Sequence, residues 1–243
     1  MSTPHRFFVD KIEYPEVTEV ILDGEEFVHA KTVLRVGEGS ELTLLDNTAN
    51  EYTAIVTKVS KNALSAHITG VNRGEREPVT EIYLLIGALK GDKTELVVQK
   101  ACELGVSKIG VFNSKYCSAY MNANKIERLK KVAKEAAKQC LRSVVPEVEY
   151  FDDIGSALAS ADGYTNKLFF CEFAQGSEAS FNNICGSCAL VVGSEGGFAD
   201  EEYALAKDKF AFKGMSLGKR ILRAETAAIA VCSIASFCLK ELE

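Results

Sequence analysis

From Glu81 onward, short apolar runs alternate with segments of helical spacing, and this alternation restricts the fold more than any other feature of the chain. Ile82 to Leu89 reads as a strand. Asp92-x-x-Glu95 resembles a capping box, Leu96, Val97, Ala101 and Leu104 follow at helical spacing, and Gly105 ends that helix. Lys108 to Phe112 is the next strand, and Asn124-x-x-Glu127 opens a helix with Ile126, Leu129, Val132, Ala136 and Cys140 on one face. Leu168 to Cys171, Ala189 to Gly193 and Phe212 to Ser216 complete the strands, with helices at Asp200 to Lys207 and Ala224 to Leu239. Such alternation predicts an α/β domain around a mainly parallel sheet.

The first 75 residues read differently. Short β-rich runs at Arg6 to Val9, Val17 to Leu22, Glu41 to Leu45, Tyr52 to Val59 and Ala63 to Thr69 are separated by polar turns, with one short helix from about Glu25 to Leu34. A small β-barrel with an inserted helix is the expectation. Val71 to Thr80 is polar, holds Gly74 and Pro78, and reads as a linker. The predicted domains are therefore residues 1–72 and 73–243.

Composition removes several classes. The chain has 243 residues, 47% hydrophobic and 26% charged, with a formal net charge of -6, so a fibrous or wholly disordered chain and a uniformly basic nucleic-acid coat are excluded. The longest apolar stretch, Ala227 to Leu239, contains Ser233 and Ser236 and falls short of the roughly 20 residues of a membrane span. The N-terminal residues lack the apolar core of a signal peptide. A soluble, cytoplasmic protein with no membrane partner is expected, and its eight cysteines should stay reduced. Cys185 and Cys188 form a C-x-x-C pair without the further ligands that zinc needs, so no metal is predicted; a metal or redox pair is the alternative to a structural or incidental one.

Two stretches carry the candidate chemistry. Val191 to Phe198 (VVGSEGGF) follows a buried strand and precedes a helix, and its three glycines permit tight turns and close approach of backbone to a ligand. Its spacing fits neither the dinucleotide nor the phosphate-loop pattern, and a plain strand-to-helix turn is the alternative. Met215 to Thr226 (MSLGKRILRAET) places Lys219, Arg220 and Arg223 beside a glycine turn and a helix start, which suits anionic ligands; a solvated basic loop is the alternative. Asn124 to Arg142 holds seven cations against Glu127 and Glu135, a stripe that either neutralises phosphates or is a solvated helix face.

Read together, these segments resemble the 16S ribosomal RNA uracil-N3 methyltransferases (RsmE-type) of the SPOUT superfamily. The resemblance is carried by HRFFV at His5 to Val9, VLRV at Val33 to Val36, GALKGDKTELVVQKACELGV at Gly87 to Val106, KQCLRSVVPEV at Lys138 to Val148, GSEGGF at Gly193 to Phe198 and LGKRILRAETA at Leu217 to Ala227. It implies an N-terminal PUA-like barrel for RNA and a C-terminal SPOUT domain with a trefoil knot. It also implies a homodimer, S-adenosyl-L-methionine (SAM) as methyl donor, and 16S ribosomal RNA or the small ribosomal subunit as substrate.

By the same resemblance, backbone groups of Gly193, Gly196, Gly197, Leu217, Gly218, Ile221 and Leu222 cradle the donor, and Leu168 and Phe170 line its adenine side. Arg223 contacts the uracil oxygens or a phosphate. Glu195 is the expected local proton acceptor, with capping of a helix N-terminus as its alternative role. His5, Arg6, Arg35, Lys90, Lys93, Gln139 and Arg142 fall in matching motifs and are the expected RNA contacts.

Two departures stand out. The family usually has proline where Ser194 stands, leaving the loop's shape to its three glycines. Where members often carry Arg-Ser after the strand ending near Phe112, this chain has Ser114-Lys115, which keeps a charge but not a two-pronged phosphate contact. These departures keep open a non-catalytic RNA-binding assembly factor of the same fold; a methyltransferase for another RNA site is a further alternative. A nucleotide-phosphate enzyme would need a Lys and Ser/Thr after Gly197 that the sequence lacks.

Overall fold

The computed structural model describes residues 4–119, 121–172, 174 and 180–242. Two compact units divide the chain: residues 1–77 with 137–145, and residues 78–136 with 146–243.

The first unit is built on a five-stranded sheet of β1 (His5–Phe8), β2 (Glu19–Leu22), β3 (Glu41–Leu45), β4 (Asn50–Val59) and β5 (Leu64–Arg73), in the order β1-β3-β4-β5-β2. β1 runs parallel to β3, and the remaining pairs are antiparallel. Register shifts in β4 at Thr53/Ala54 and Val56/Lys58 mark bulges, the usual device for bending a strand. β1 and β2 are the sheet edges, so the expected barrel is a sheet wrapped on its own core and not a closed ladder. Phe7, Leu22, Leu42, Leu44, Val56, Leu64 and Ile68 form that core, with Phe27 from the short helix α1 (Gly24–Val28). A π-helical turn, His29–Val33, continues α1, so the single short helix expected from about Glu25 to Leu34 is split between two helix types. β5 pairs with β4 as far as Arg73, so the expected linker begins later than Val71: its first residues complete a ladder against Asn50, Glu51 and Tyr52.

Charged side chains lock the inside of this unit. Arg6 donates to both carboxylate oxygens of Glu51 (3.1 and 2.8 Å), and Ser143 Oγ donates to Glu51 at 2.6 Å. Arg142 donates through Nε and Nη2 to Glu77 (3.1 and 2.9 Å), whose other oxygen accepts from the Ser143 and Val144 amides.

The second unit carries a six-stranded sheet in which every neighbouring pair is parallel. Its strands are β6 (Ile82–Gly87), β7 (Lys108–Phe112), β8 (Glu147–Phe151), β9 (Asn166–Phe170), β10 (Cys188–Val192) and β11 (Lys213–Met215), in the order β11-β9-β10-β6-β7-β8. β6 and β10 lie at the centre, and all their residues are buried, which is why both read as unbroken apolar runs. Helix α6 (Ala224–Cys238) packs over β6 and β10 and against α2 (Lys93–Glu103), whereas α4 (Ile154–Ala159) and α5 (Asp200–Phe210) cover the opposite face. α3 (Ala123–Gln139) connects β7 to β8.

Several local expectations need correction. Asp92 stands at the start of α2 but makes no side-chain cap; Thr94 Oγ1 accepts the Leu89 amide instead. α3 is capped by Asn122, whose Oδ1 accepts from the Lys125 amide at 2.9 Å, two residues before the expected cap. β8 and α4 lie in a stretch without a strong apolar pattern. β8 is an edge strand with only Val148 buried, and α4 is a short helix capped by Asp153 through the Ser156 amide at 2.8 Å. No helix among the described residues is long and apolar enough to cross a membrane.

Candidate active site

The sheet changes direction of progression at β6: the chain moves outward through β7 and β8, then returns on the other side through β9 and β10. Open α/β sheets form ligand crevices at the carboxyl ends of strands beside such a point. Here the ends of β9, β10 and β11 and the start of α6 enclose a cavity of about 840 Å³.

One wall is the turn after β10. The Gly197 amide donates to the Ser194 carbonyl at 3.0 Å, and Gly197 has φ +70°, a conformation that favours glycine. A Cβ on Gly196 would stand 2.6 Å from the Tyr116 carbonyl, and one on Gly87, at the end of β6, 2.5 Å from the Ser194 amide nitrogen. The turn is thus pressed between two backbones. Phe198 then enters the core, with its ring centroid 4.2 Å from that of Phe169. Ser194, at the family's proline position, is buried with its Oγ 3.5 Å from Ser114 Oγ.

The facing wall is the segment after β11. The Cys171 amide donates to the Met215 carbonyl, extending the β9–β11 pairing. Ser216 Oγ donates to the Gly218 carbonyl at 3.2 Å, and Gly218 has φ +92°. Arg223 is the N-cap residue of α6: its carbonyl accepts from Ala227 at 2.8 Å, while its side chain stays exposed at the cavity.

Glu195 Oε1 accepts from the Lys90 amide at 3.1 Å and meets the Lys93 ammonium at 3.3 Å. Partial burial favours the neutral acid, but the Lys90 amide, Glu195's own amide and Lys93 outweigh it and hold the carboxyl below its ordinary value. A carboxylate stabilised in this way is a weak base.

All the predicted donor contacts except Leu168 line this one cavity, together with Glu195 and Arg223. Leu168 lies two residues upstream of Phe170 in β9, is buried, and stands outside the lining. The expected RNA contacts divide. His5, Arg35, Gln139 and Lys90 are exposed. Arg6 and Arg142 have side chains only 8% and 5% exposed, held by Glu51 and Glu77, and Lys93 faces the cavity. Lys115 pairs with Glu201.

The sequence reading missed Gly87, Tyr116, Cys171, Glu172 and Ser216 as parts of the cavity or its support. It also missed Glu202, whose buried carboxylate bridges the Lys115 and Ala199 amides. Gly87 had a readable signal as the first residue of the GALKGDKTE run, and Ser216 as part of the Met215 to Thr226 stretch. Cys185 is exposed, whereas burial pushes the Cys188 thiol up to about 12. Among the described residues no cluster of three metal-ligating side chains occurs.

A cavity of this size, walled by glycine backbone and the apolar Phe170, fits a SAM-sized donor. Comparison with known proteins agrees. The RNA methyltransferase domain model matches residues 75–236, and the RNA methyltransferase PUA domain model matches residues 22–69. The ribosomal RNA small subunit methyltransferase E of Mesomycoplasma hyopneumoniae is 30% identical over 93% of this chain and 96% of its own length. A Legionella pneumophila protein solved in complex with SAM superposes with a TM-score of 0.87 at 29% identity, covering 97% of this chain and 98% of that one. The ribosomal RNA small subunit methyltransferase E of Neisseria gonorrhoeae, solved bound to SAM, gives 0.83 at 26% identity and 98% coverage of both. With a matching domain model over most of its length and a relative aligned nearly end to end, this chain belongs to the RNA methyltransferase family that includes the ribosomal RNA small subunit methyltransferases E.

Proposed function

We propose that this protein methylates N3 of a uridine in 16S ribosomal RNA of the small ribosomal subunit, with SAM as donor. The observation that carries this reading is the single cavity in which the glycine turn at 193–198 meets the Leu217–Arg223 segment. Bound there, SAM supplies a methyl group already activated by its sulfonium. The chain's own contribution is placement: backbone of Gly193, Gly196, Gly197, Leu217, Gly218, Ile221 and Leu222 holds the donor, and Phe170 covers its apolar side. The uridine N3 proton has to leave, and in this reading the Arg223 guanidinium stabilises the negative charge that develops on the uracil oxygens. Glu195 serves as a structural carboxylate, because its neighbours favour the ionised form; the proton then passes to solvent.

His5, Arg35, Lys90 and Gln139, with the basic face of α3, form the RNA-binding residues in this reading, the folded RNA being recognised by shape and one displaced base. The trefoil knot belongs to it as well. β11 lies at the sheet edge beside β9, whereas α6 packs over β6 and β10, so residues 216–223 must carry the chain back past the turn that follows β10. A second copy of the chain is proposed to cover the apolar side chains that remain exposed on α2 and α6, Leu96 and Phe237, together with Ile221. A first domain that ends after the β5 ladder, near Glu77, and a cytoplasmic location complete the reading.

The test is mass spectrometry of ribosomal RNA from cells lacking the gene. Loss of 3-methyluridine from the small-subunit RNA is expected, and an unchanged level overturns the assignment. Failure of the purified protein to bind SAM at sub-millimolar concentration would instead favour a non-catalytic RNA-binding role.

A further inference from the structure

One cation stands between two carboxylates beside the cavity, and the three come from three separate segments. Lys93 is the first residue of α2, where a positive charge meets the unfavourable end of the helix dipole. Its ammonium lies 3.3 Å from Glu195 in the glycine turn and 3.6 Å from Glu225 in the first turn of α6. The Glu195 and Glu225 side chains are only 26% and 13% exposed, and Glu225 Oε2 is buried with no hydrogen-bond partner among the described residues. Two carboxylates so enclosed repel each other unless a cation stands between them, because water screens them poorly. Without that cation, the repulsion would push the glycine turn away from the start of α6, the two segments that wall the cavity.

We propose that Lys93 is a positioning residue of the donor site: its ammonium neutralises Glu195 and Glu225 and clamps the glycine turn to the start of α6. This assigns Lys93 away from RNA phosphate contact. It rests on the reading that the cavity takes SAM, and the unmodified protein tests that reading separately.

The experiment compares the full chain with Lys93→Arg, Lys93→Met and the double variant Lys93→Met/Glu225→Gln. SAM affinity is measured by calorimetry, affinity for a 16S ribosomal RNA fragment across a salt series, and folding by thermal melts. Lys93→Met is expected to weaken SAM binding about tenfold, and Lys93→Arg to retain most of the affinity. Adding Glu225→Gln to Lys93→Met should recover part of the loss, since one of the repelling charges is gone; a general loss of folding has no such rescue. The salt dependence of RNA binding should stay unchanged. Unaltered SAM affinity in Lys93→Met overturns the proposal, as does a double variant no better than the single. So does a salt slope reduced by about one, the mark of a lost phosphate contact. If the unmodified protein does not bind SAM, the reading of the cavity fails first and this assignment falls with it.

Discussion

The amide of Lys115 donates to Glu202 Oε1 at 2.8 Å, and the other oxygen of that buried carboxylate accepts the Ala199 amide at the same distance. One side chain thus ties the loop after β7 to the start of α5, and the next residue of that loop, Tyr116, presses on Gly196. The turn is thus held from outside. Replacing Glu202 with Ala strands two amides and should cost about 2 kcal/mol. The expected result is a lower melting temperature together with weaker SAM binding. Normal SAM affinity in a folded Glu202→Ala protein would show that the turn needs no such tie.

Gly196→Ala and Gly87→Ala each force a Cβ against backbone atoms, at 2.6 Å from Tyr116 and 2.5 Å from Ser194. Neither neighbour can rotate away. Both variants should lose SAM affinity by more than about tenfold, whereas Gly163→Ala, with nothing within 4 Å of the added carbon, should bind as the unmodified protein does. Calorimetric titration of the three decides this.

Arg223 has an exposed side chain and contributes only its carbonyl to the α6 hydrogen-bond ladder. Removing the guanidinium should therefore leave the fold intact. Arg223→Ala is expected to lower the methyl-transfer rate by about 100-fold with an unchanged melting temperature. Single-turnover transfer of labelled methyl to a 16S ribosomal RNA fragment measures it, and full activity would remove Arg223 from the site.

The Arg6 guanidinium beside Glu51 holds that carboxyl below its usual range, with burial opposing and Ser143 assisting. A lowered folded pKa means that the pair's stabilisation is complete above the unfolded glutamate value, about 4.3, and is lost as pH falls through the folded value. Glu51→Gln should destabilise the protein by about 3 kcal/mol near neutral pH, with the difference shrinking as the solution is acidified below that range. Urea unfolding at a series of pH values tests the sign: a difference that grows on acidification contradicts it.

Much of the architecture was legible because buried strands and helix faces leave local patterns. β3 and β7 fall on their expected residues, and the all-buried β6 and β10 appear as apolar runs within a residue or two of their ends. β8 and α4 escaped because an edge strand that buries a single residue and a short helix carry little periodic signal. The charged residues were harder. Arg6, Lys93 and Arg142 all lie in motifs that read as RNA contacts, yet each meets a carboxylate in the fold. Arg6 and Glu51 are 45 residues apart, and Arg142 and Glu77 are 65 apart.

Spacing along the chain specifies which segments are strands, helices and glycine turns, since those are set by contacts among near neighbours. Which turns face each other depends on the parallel order β11-β9-β10-β6, which brings the ends of β9, β10 and β11 to one rim although they are far apart in the chain. The partner of a buried charge is settled at that same level. Burial strips its hydration, so it is stable only where folding delivers an opposite charge, and no local pattern records where that charge will come from.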